Sequence, residues 1–155
     1  YLGICFGFQL AAVSFARNVC NYSDANSTEI EEKTSNPIID LLPEQDDVTD
    51  MGGSLRLGAN EINVKPNTLA NKIYGQERIS KRHRHRYEFN TKYLDEFAEN
   101  GMIFSGESDN GRRMEILEIP SHKFFVGVQF HPEFNSRPGY PEQVFKAFTT
   151  AANQN

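Results

Sequence analysis

The chain has 155 residues, with 16 Lys and Arg against 21 Asp and Glu, and a formal net charge of −5. That length suffices for one domain with its own core, and the acidic balance argues against a general nucleic-acid binder. No apolar run reaches the roughly 18 residues of a membrane span, and two cysteines are too few for a disulfide scaffold.

Residues 1–4 read as a short apolar strand that ends at Cys5. Apolar side chains then recur at Phe8, Ala11, Ala12, Phe15, Ala16 and Val19, the spacing of one helical face. With Cys5 and Cys20 both on that helix, a rise of about 1.5 Å per residue separates them by roughly 22 Å. A bridge needs Cα atoms within about 7 Å, so both thiols are expected free, as in a reducing cytoplasm. Residues 21–61 are polar, interrupted by an apolar island at 37–43 and a turn at Gly52-Gly53. They read as a long excursion over the sheet edge, mobile in part, with an acidic solvated loop around 44–50.

From Ile62 the pattern suggests strands and turns. A short helix is predicted over 92–100, capped by Asn90 or Thr91 and followed by Gly101. Strands are predicted at 102–105 and 114–119 around an Asp109-Asn110-Gly111 turn. The strongest strand signal, 124–130, runs directly into His131. A last helix starts near Pro141 and buries Val144, Phe145, Phe148, Ala151 and Ala152. The expected class is α/β with a mainly parallel sheet flanked by helices.

Gly3-Ile4-Cys5-Phe6-Gly7 has the form G-x-C-x-G, a cysteine version of the nucleophile elbow. A nucleophile on a tight strand-to-helix turn sits in strained backbone, and side chains at either glycine would crowd it. The helix start points free N–H groups at the sulfur, which is expected to lower the thiol pKa. The Phe6 N–H is a candidate oxyanion donor. A buried structural cysteine is the ordinary alternative, and the strand before and helix after favour the nucleophile. Cys20 lacks that context and is expected to be inert.

A cysteine nucleophile needs a base that is near in space and usually far in sequence. Of the four histidines, His131 ends a buried strand, where parallel-sheet enzymes gather their chemistry. Pro132 keeps His131 extended, and Glu133 can then turn back to orient its ring. His122 falls in a polar turn and reads as a surface residue. The basic run Lys81-Arg82-His83-Arg84-His85-Arg86 admits a nucleic-acid or localisation patch, a metal pair at His83 and His85, or an arginine gripping a carboxylate. A plain solvated face remains the alternative for most of it.

Gly3-Ile4-Cys5-Phe6-Gly7-Phe8-Gln9 and the stretch from Val126 through Gln129, His131 and Glu133 to Phe134 together resemble the class I (triad) glutamine amidotransferases. Segments 24–29, 51–58, 82–88 and 136–138 are similar to the CTP synthase members of that class in particular, so the resemblance runs in order along essentially all of residues 1–155. It implies the flavodoxin-like class I fold, here N-terminally incomplete, with the first strands and their glycine-rich oxyanion segment expected upstream.

The resemblance further implies a triad of Cys5, His131 and Glu133 that hydrolyses the side-chain amide of glutamine through a thioester. Phe6, Gln9, Glu29 and Arg86 match glutamine-binding positions, with Glu29 toward the α-amino group and Arg86 toward the α-carboxylate. No metal or cofactor is expected in this domain. A separate synthetase domain of the same polypeptide would use ATP and Mg²⁺ to aminate UTP to CTP and would carry a homo-oligomer. GTP would act as activator, with Arg56 in a segment that faces it. Phe6 and Phe8 stand where the family carries leucine and methionine, so the fit of glutamine is expected to differ slightly. A stand-alone γ-glutamyl hydrolase and a non-catalytic regulatory or assembly module are the competing readings.

Overall fold

The structure, a computed structural model, describes residues 1–41 and 55–154. Strand β1 (Leu2–Ile4) passes through Cys5 into α1 (Phe6–Asn18), which is followed by β2 (Asn26–Ser27) and β3 (Pro37–Asp40). A long hairpin of β4 (Arg56–Val64) and β5 (Arg78–His85) encloses α2 (Leu69–Tyr74). Then come β6 (Glu88–Phe89), α3 (Leu94–Glu99), β7 (Ile103–Ser108), β8 (Arg113–Glu118), β9 (Val126–Val128) and α4 (Gln143–Asn153). The expected acidic loop at 44–50 and the Gly52-Gly53 turn lie outside the described residues. Among those described, no helix is long and apolar enough to cross a membrane.

Among the described residues the main sheet has six strands in the order β1-β9-β8-β7-β4-β5, and β2-β3-β6 form a smaller one. The α/β class holds, but the main sheet is mixed rather than mainly parallel. Only the β1–β9 pair is parallel, with Ile4 opposite Val128, while β9–β8, β8–β7, β7–β4 and β4–β5 are antiparallel. The reason lies in the connections. β7 turns into β8 through Asp109 and Asn110, both at positive φ, and Gly111, and such a tight link can join only antiparallel neighbours.

Each face of the sheet buries its own apolar cluster. Phe8, Ala12, Phe15 and Ala16 of α1 pack with Phe89, Phe97, Phe104 and Leu117 on one face. Ala70 and Tyr74 of α2 and Val144 of α4 pack with Ile62, Ile116, Val126 and Val128 on the other. The alternation Val126-Gly127-Val128 serves both faces. The valines enter the second cluster, and a Cβ on Gly127 would come within 2.9 Å of the Leu117 side chain and 3.3 Å of the Phe8 backbone. This close approach seats the start of α1 directly on β9.

The predicted helices are present with shifted ends. Asn90 caps the 3₁₀ turn Thr91–Tyr93 that leads into α3, and the Glu142 carboxylate caps α4 at the Val144 N–H. Val19 and Ala152 prove exposed, because α1 stops at Asn18 and the last turn of α4 is in solvent. Glu142 also forms a buried ion pair with Lys81, which ties α4 to the edge strand β5.

Candidate active site

The parallel β1–β9 pair creates the site. Ile4 lies opposite Val128, and the Cys5 N–H donates to the Val128 carbonyl over 2.8 Å. Cys5 and His131 therefore leave the same ends of adjacent strands. Cys5 takes φ 50°, ψ −102° between strand and helix, a conformation costly for a residue with a Cβ. Gly3 is required there, since an added Cβ would sit 2.6 Å from the Tyr1 hydroxyl and 2.8 Å from the Gly7 backbone. Gly7 is not crowded in the same way, because its nearest neighbour would be the Tyr1 hydroxyl at 3.7 Å.

The main sheet curls until its far edge returns to the first strand. The His131 N–H donates to the Arg82 carbonyl over 2.9 Å, and the Cys5 thiol reaches the Arg84 carbonyl at 3.8 Å. His131 is extended, with φ −106° and ψ 90°, and Pro132 opens the 3₁₀ turn that carries Glu133. That turn swings the carboxylate back to accept from His131 Nδ1 over 2.5 Å. With the proton on Nδ1, Nε2 is left as the basic nitrogen. It is buried and has no hydrogen-bond partner among the described residues.

Cys5, Phe6, Gln9, Glu29 and Arg86 line one cavity of about 520 Å³, together with Leu55, Arg84, His85 and Tyr87. The structure thus brings together every residue singled out for glutamine. Phe8 does not belong with them, since it is wholly buried in the core, so of the two phenylalanine departures only Phe6 bears on the cavity. Sequence reasoning missed Gln129, whose fully buried amide donates from Nε2 to the Cys5 sulfur over 3.8 Å. A glutamine inside an otherwise apolar strand was the available signal.

The expected depression of the Cys5 pKa is reversed. Burial pushes the thiol up, and the carboxylates of Glu133 and Glu29 add to this, while the Phe6 N–H and the Gln129 amide pull the other way. On balance these surroundings favour the neutral thiol over the thiolate at Cys5.

The basic run divides by strand alternation. Lys81, His83 and His85 point inward and are buried, while Arg82 and Arg84 are exposed. His83 Nε2 donates to Glu115 over 2.8 Å and His85 Nε2 to Glu88 over 3.0 Å. Both histidines are committed to buried carboxylates rather than paired on a metal, and among the described residues no group of three or more His, Cys, Asp or Glu could hold one. Arg56, in the segment expected to face an effector, turns its side chain inward and bonds Glu115 over 2.6 Å and Ser108 over 3.0 Å.

Residues 1–151 match the family model for class-I glutamine amidotransferases, and the chain belongs to that family. Its relatives there include CTP synthases. The CTP synthase of Archaeoglobus fulgidus is 56% identical over 152 residues, which is 98% of this chain and 29% of the relative. The CTP synthase of Thermococcus kodakarensis is 53% identical over 155 residues, 99% of this chain and 29% of that protein. The solved glutaminase domain of Trypanosoma brucei CTPS with bound acivicin superimposes with a TM-score of 0.92 at 35% identity, covering all of this chain and 60% of that one. The chain therefore spans under a third of the length of these curated relatives.

Proposed function

We propose that residues 1–155 form the amidotransferase unit of a glutamine-hydrolysing CTP synthase. The observation that carries the reading is the convergence of Cys5 and the Glu133-locked His131 at the ends of neighbouring parallel strands, beside a cavity bearing Gln9, Glu29 and Arg86.

The chemistry follows from those positions. Arg86 binds the α-carboxylate of glutamine and Glu29 the α-ammonium, which leaves the side-chain amide directed at Cys5. His131 Nε2 takes the thiol proton as sulfur attacks the amide carbon, and the Phe6 N–H steadies the developing oxyanion. Collapse of the tetrahedral adduct breaks the C–N bond, with His131 returning the proton to the departing nitrogen as ammonia leaves. A water, deprotonated by the same imidazole, then cleaves the thioester to glutamate and restores the thiol. Glu133 holds the required tautomer throughout.

The ammonia goes to a synthetase domain of the same polypeptide. ATP and Mg²⁺ act there on UTP, GTP activates, and subunits assemble; no step in this chain runs through a metal or cofactor. A reducing cytoplasm suits the two free thiols.

The test is Cys5→Ala in the whole protein. Glutamine-dependent CTP formation should vanish while ammonia-dependent formation persists, because external ammonia bypasses the thioester. Loss of both in a folded variant, or glutamine hydrolysis without any CTP formation in the wild type, would overturn the reading, the latter in favour of a stand-alone hydrolase.

A further inference from the structure

We infer that Gln129 is a catalytic residue, a neutral amide that hydrogen-bonds the Cys5 sulfur and stabilises its thiolate, and that Gln9 is the positioning residue that fixes that amide's direction. The inference rests on the proposed reaction only in calling Cys5 the nucleophile.

Gln129 lies two residues beyond the centre of β9 and is fully buried. Its backbone is pinned by an N–H donated to the Glu115 carbonyl over 2.8 Å. Its side chain spans the gap between α1 and the elbow. Nε2 faces the Cys5 sulfur at 3.8 Å, and Oε1 accepts from Gln9 Nε2 over 3.3 Å.

The orientation of this amide is dictated by its neighbours. Gln9 Nε2 also donates to the Tyr87 carbonyl over 2.9 Å, and a carbonyl can only accept. Gln9 must therefore direct its NH₂ group, not its oxygen, toward this junction. Gln129 answers with its carbonyl, which leaves its own NH₂ group on the side of sulfur. The chain of bonds runs from the Tyr87 carbonyl through Gln9 and Gln129 to Cys5, and reversing either amide would break it.

The two partners of the sulfur act in opposite senses. The Arg84 carbonyl, at 3.8 Å, accepts from the thiol and has nothing to offer the thiolate. The Gln129 amide is a donor and strengthens its bond once charge appears on sulfur. Other groups around the nucleophile are Glu29 beyond β2, His85 and Arg86 at the end of β5, and His131 and Glu133 beyond β9. Against the nearby carboxylates and the burial that disfavour the anion, an uncharged donor helps without competing for the proton. A second cation at that position would compete with His131 for the role of proton carrier.

The test is the pH dependence of Cys5 alkylation by iodoacetamide in the whole protein, followed on the Cys5 peptide by mass spectrometry. Wild type gives a reference midpoint. Gln129→Met should raise it by about one pH unit, so that labelling at neutral pH slows about tenfold. Gln129→Glu, nearly isosteric but an anion without a donor, should raise it at least as far. Gln9→Met, which frees the Gln129 amide to turn, should move it the same way by less. Thermal unfolding confirms that each variant is folded, and either Gln129 variant suffices if the other is not.

A packing role alone would change the labelling rate on the alkaline plateau and leave the midpoint in place. A folded Gln129 variant with the wild-type midpoint overturns the proposal. The readout needs no glutamine, so it stands or falls separately from the Cys5→Ala assay.

Discussion

Gly3 and Gly7 flank Cys5 symmetrically in sequence but not in space. A Cβ at position 3 would press on the Gly7 carbonyl, which is backbone and cannot swing away, whereas at position 7 it would make ordinary contact. Gly3→Ala should therefore push the start of α1 off β1 and displace the sulfur, lowering kcat about 100-fold, the scale of a 1 Å misplacement. Gly7→Ala should keep most activity and stabilise α1 by up to about 1 kcal/mol, the helix preference of alanine over glycine. Glutamine hydrolysis and thermal unfolding read both outcomes, and equal damage from the two variants would contradict this account of the elbow. At the other end of the substrate, Arg86→Ala should raise KM about 10–100-fold, as expected for a lost charge-assisted hydrogen bond. The effect on kcat should be smaller, because the α-carboxylate is gripped equally in ground and transition states. Arg82 is exposed and outside the cavity, so Arg82→Ala should leave both constants near wild type; a large KM effect at Arg82 and none at Arg86 would reverse the assignment.

At the scale of elements, Glu115 knits four strands together. From β8 it accepts from His83 on β5 and from Arg56 on β4, and Ser108 joins from β7. Burial raises its pKa, but the His83 hydrogen bond, the Arg56 and His83 charges and Ser108 outweigh this and bring it to about 2. Its unfolded value is about 4.3. A depressed native pKa contributes stability that is present above the unfolded value and is lost as pH falls toward the native one. Acid denaturation should therefore include a component between about pH 4.3 and 2 that Glu115→Gln removes. At neutral pH the same variant should cost about 3–5 kcal/mol in denaturant unfolding, since Arg56 and His83 are left in the interior without their anion.

These elements differ in how far the sequence betrays them. The apolar period of α1 and the Asn90 cap of the turn before α3 are local, and both are visible in the sequence. The six-residue α2 is too short to display a period, although Thr68 and Gly75 mark its ends as side-chain cap and left-handed stop. Strand direction is not local at all. It depends on which strands meet, and alternation of helix and strand favoured the parallel answer over the one signalled by the Asp109-Asn110-Gly111 turn. Cys5, His131 and Glu133 were legible because each sits at an abrupt change of pattern. The partners of Gln129 and Glu115 come from segments distant in sequence, so no local pattern announces them.

For the whole molecule, the curl of the main sheet sets the order in which the site can come into being. One wall comes from β1 and β9, and the other from β5 at the opposite end of the strand order. Cys5 is 79 residues from the Arg84 carbonyl and 124 from Gln129 along the chain. Contacts of such long range form late, after loop closure has been overcome. A newly made chain whose β4–β5 hairpin has formed but not docked therefore holds its cysteine without a cavity, a base or an amide donor. The partners that the proposed hydrolysis needs are therefore complete only when the last of these long-range contacts has closed.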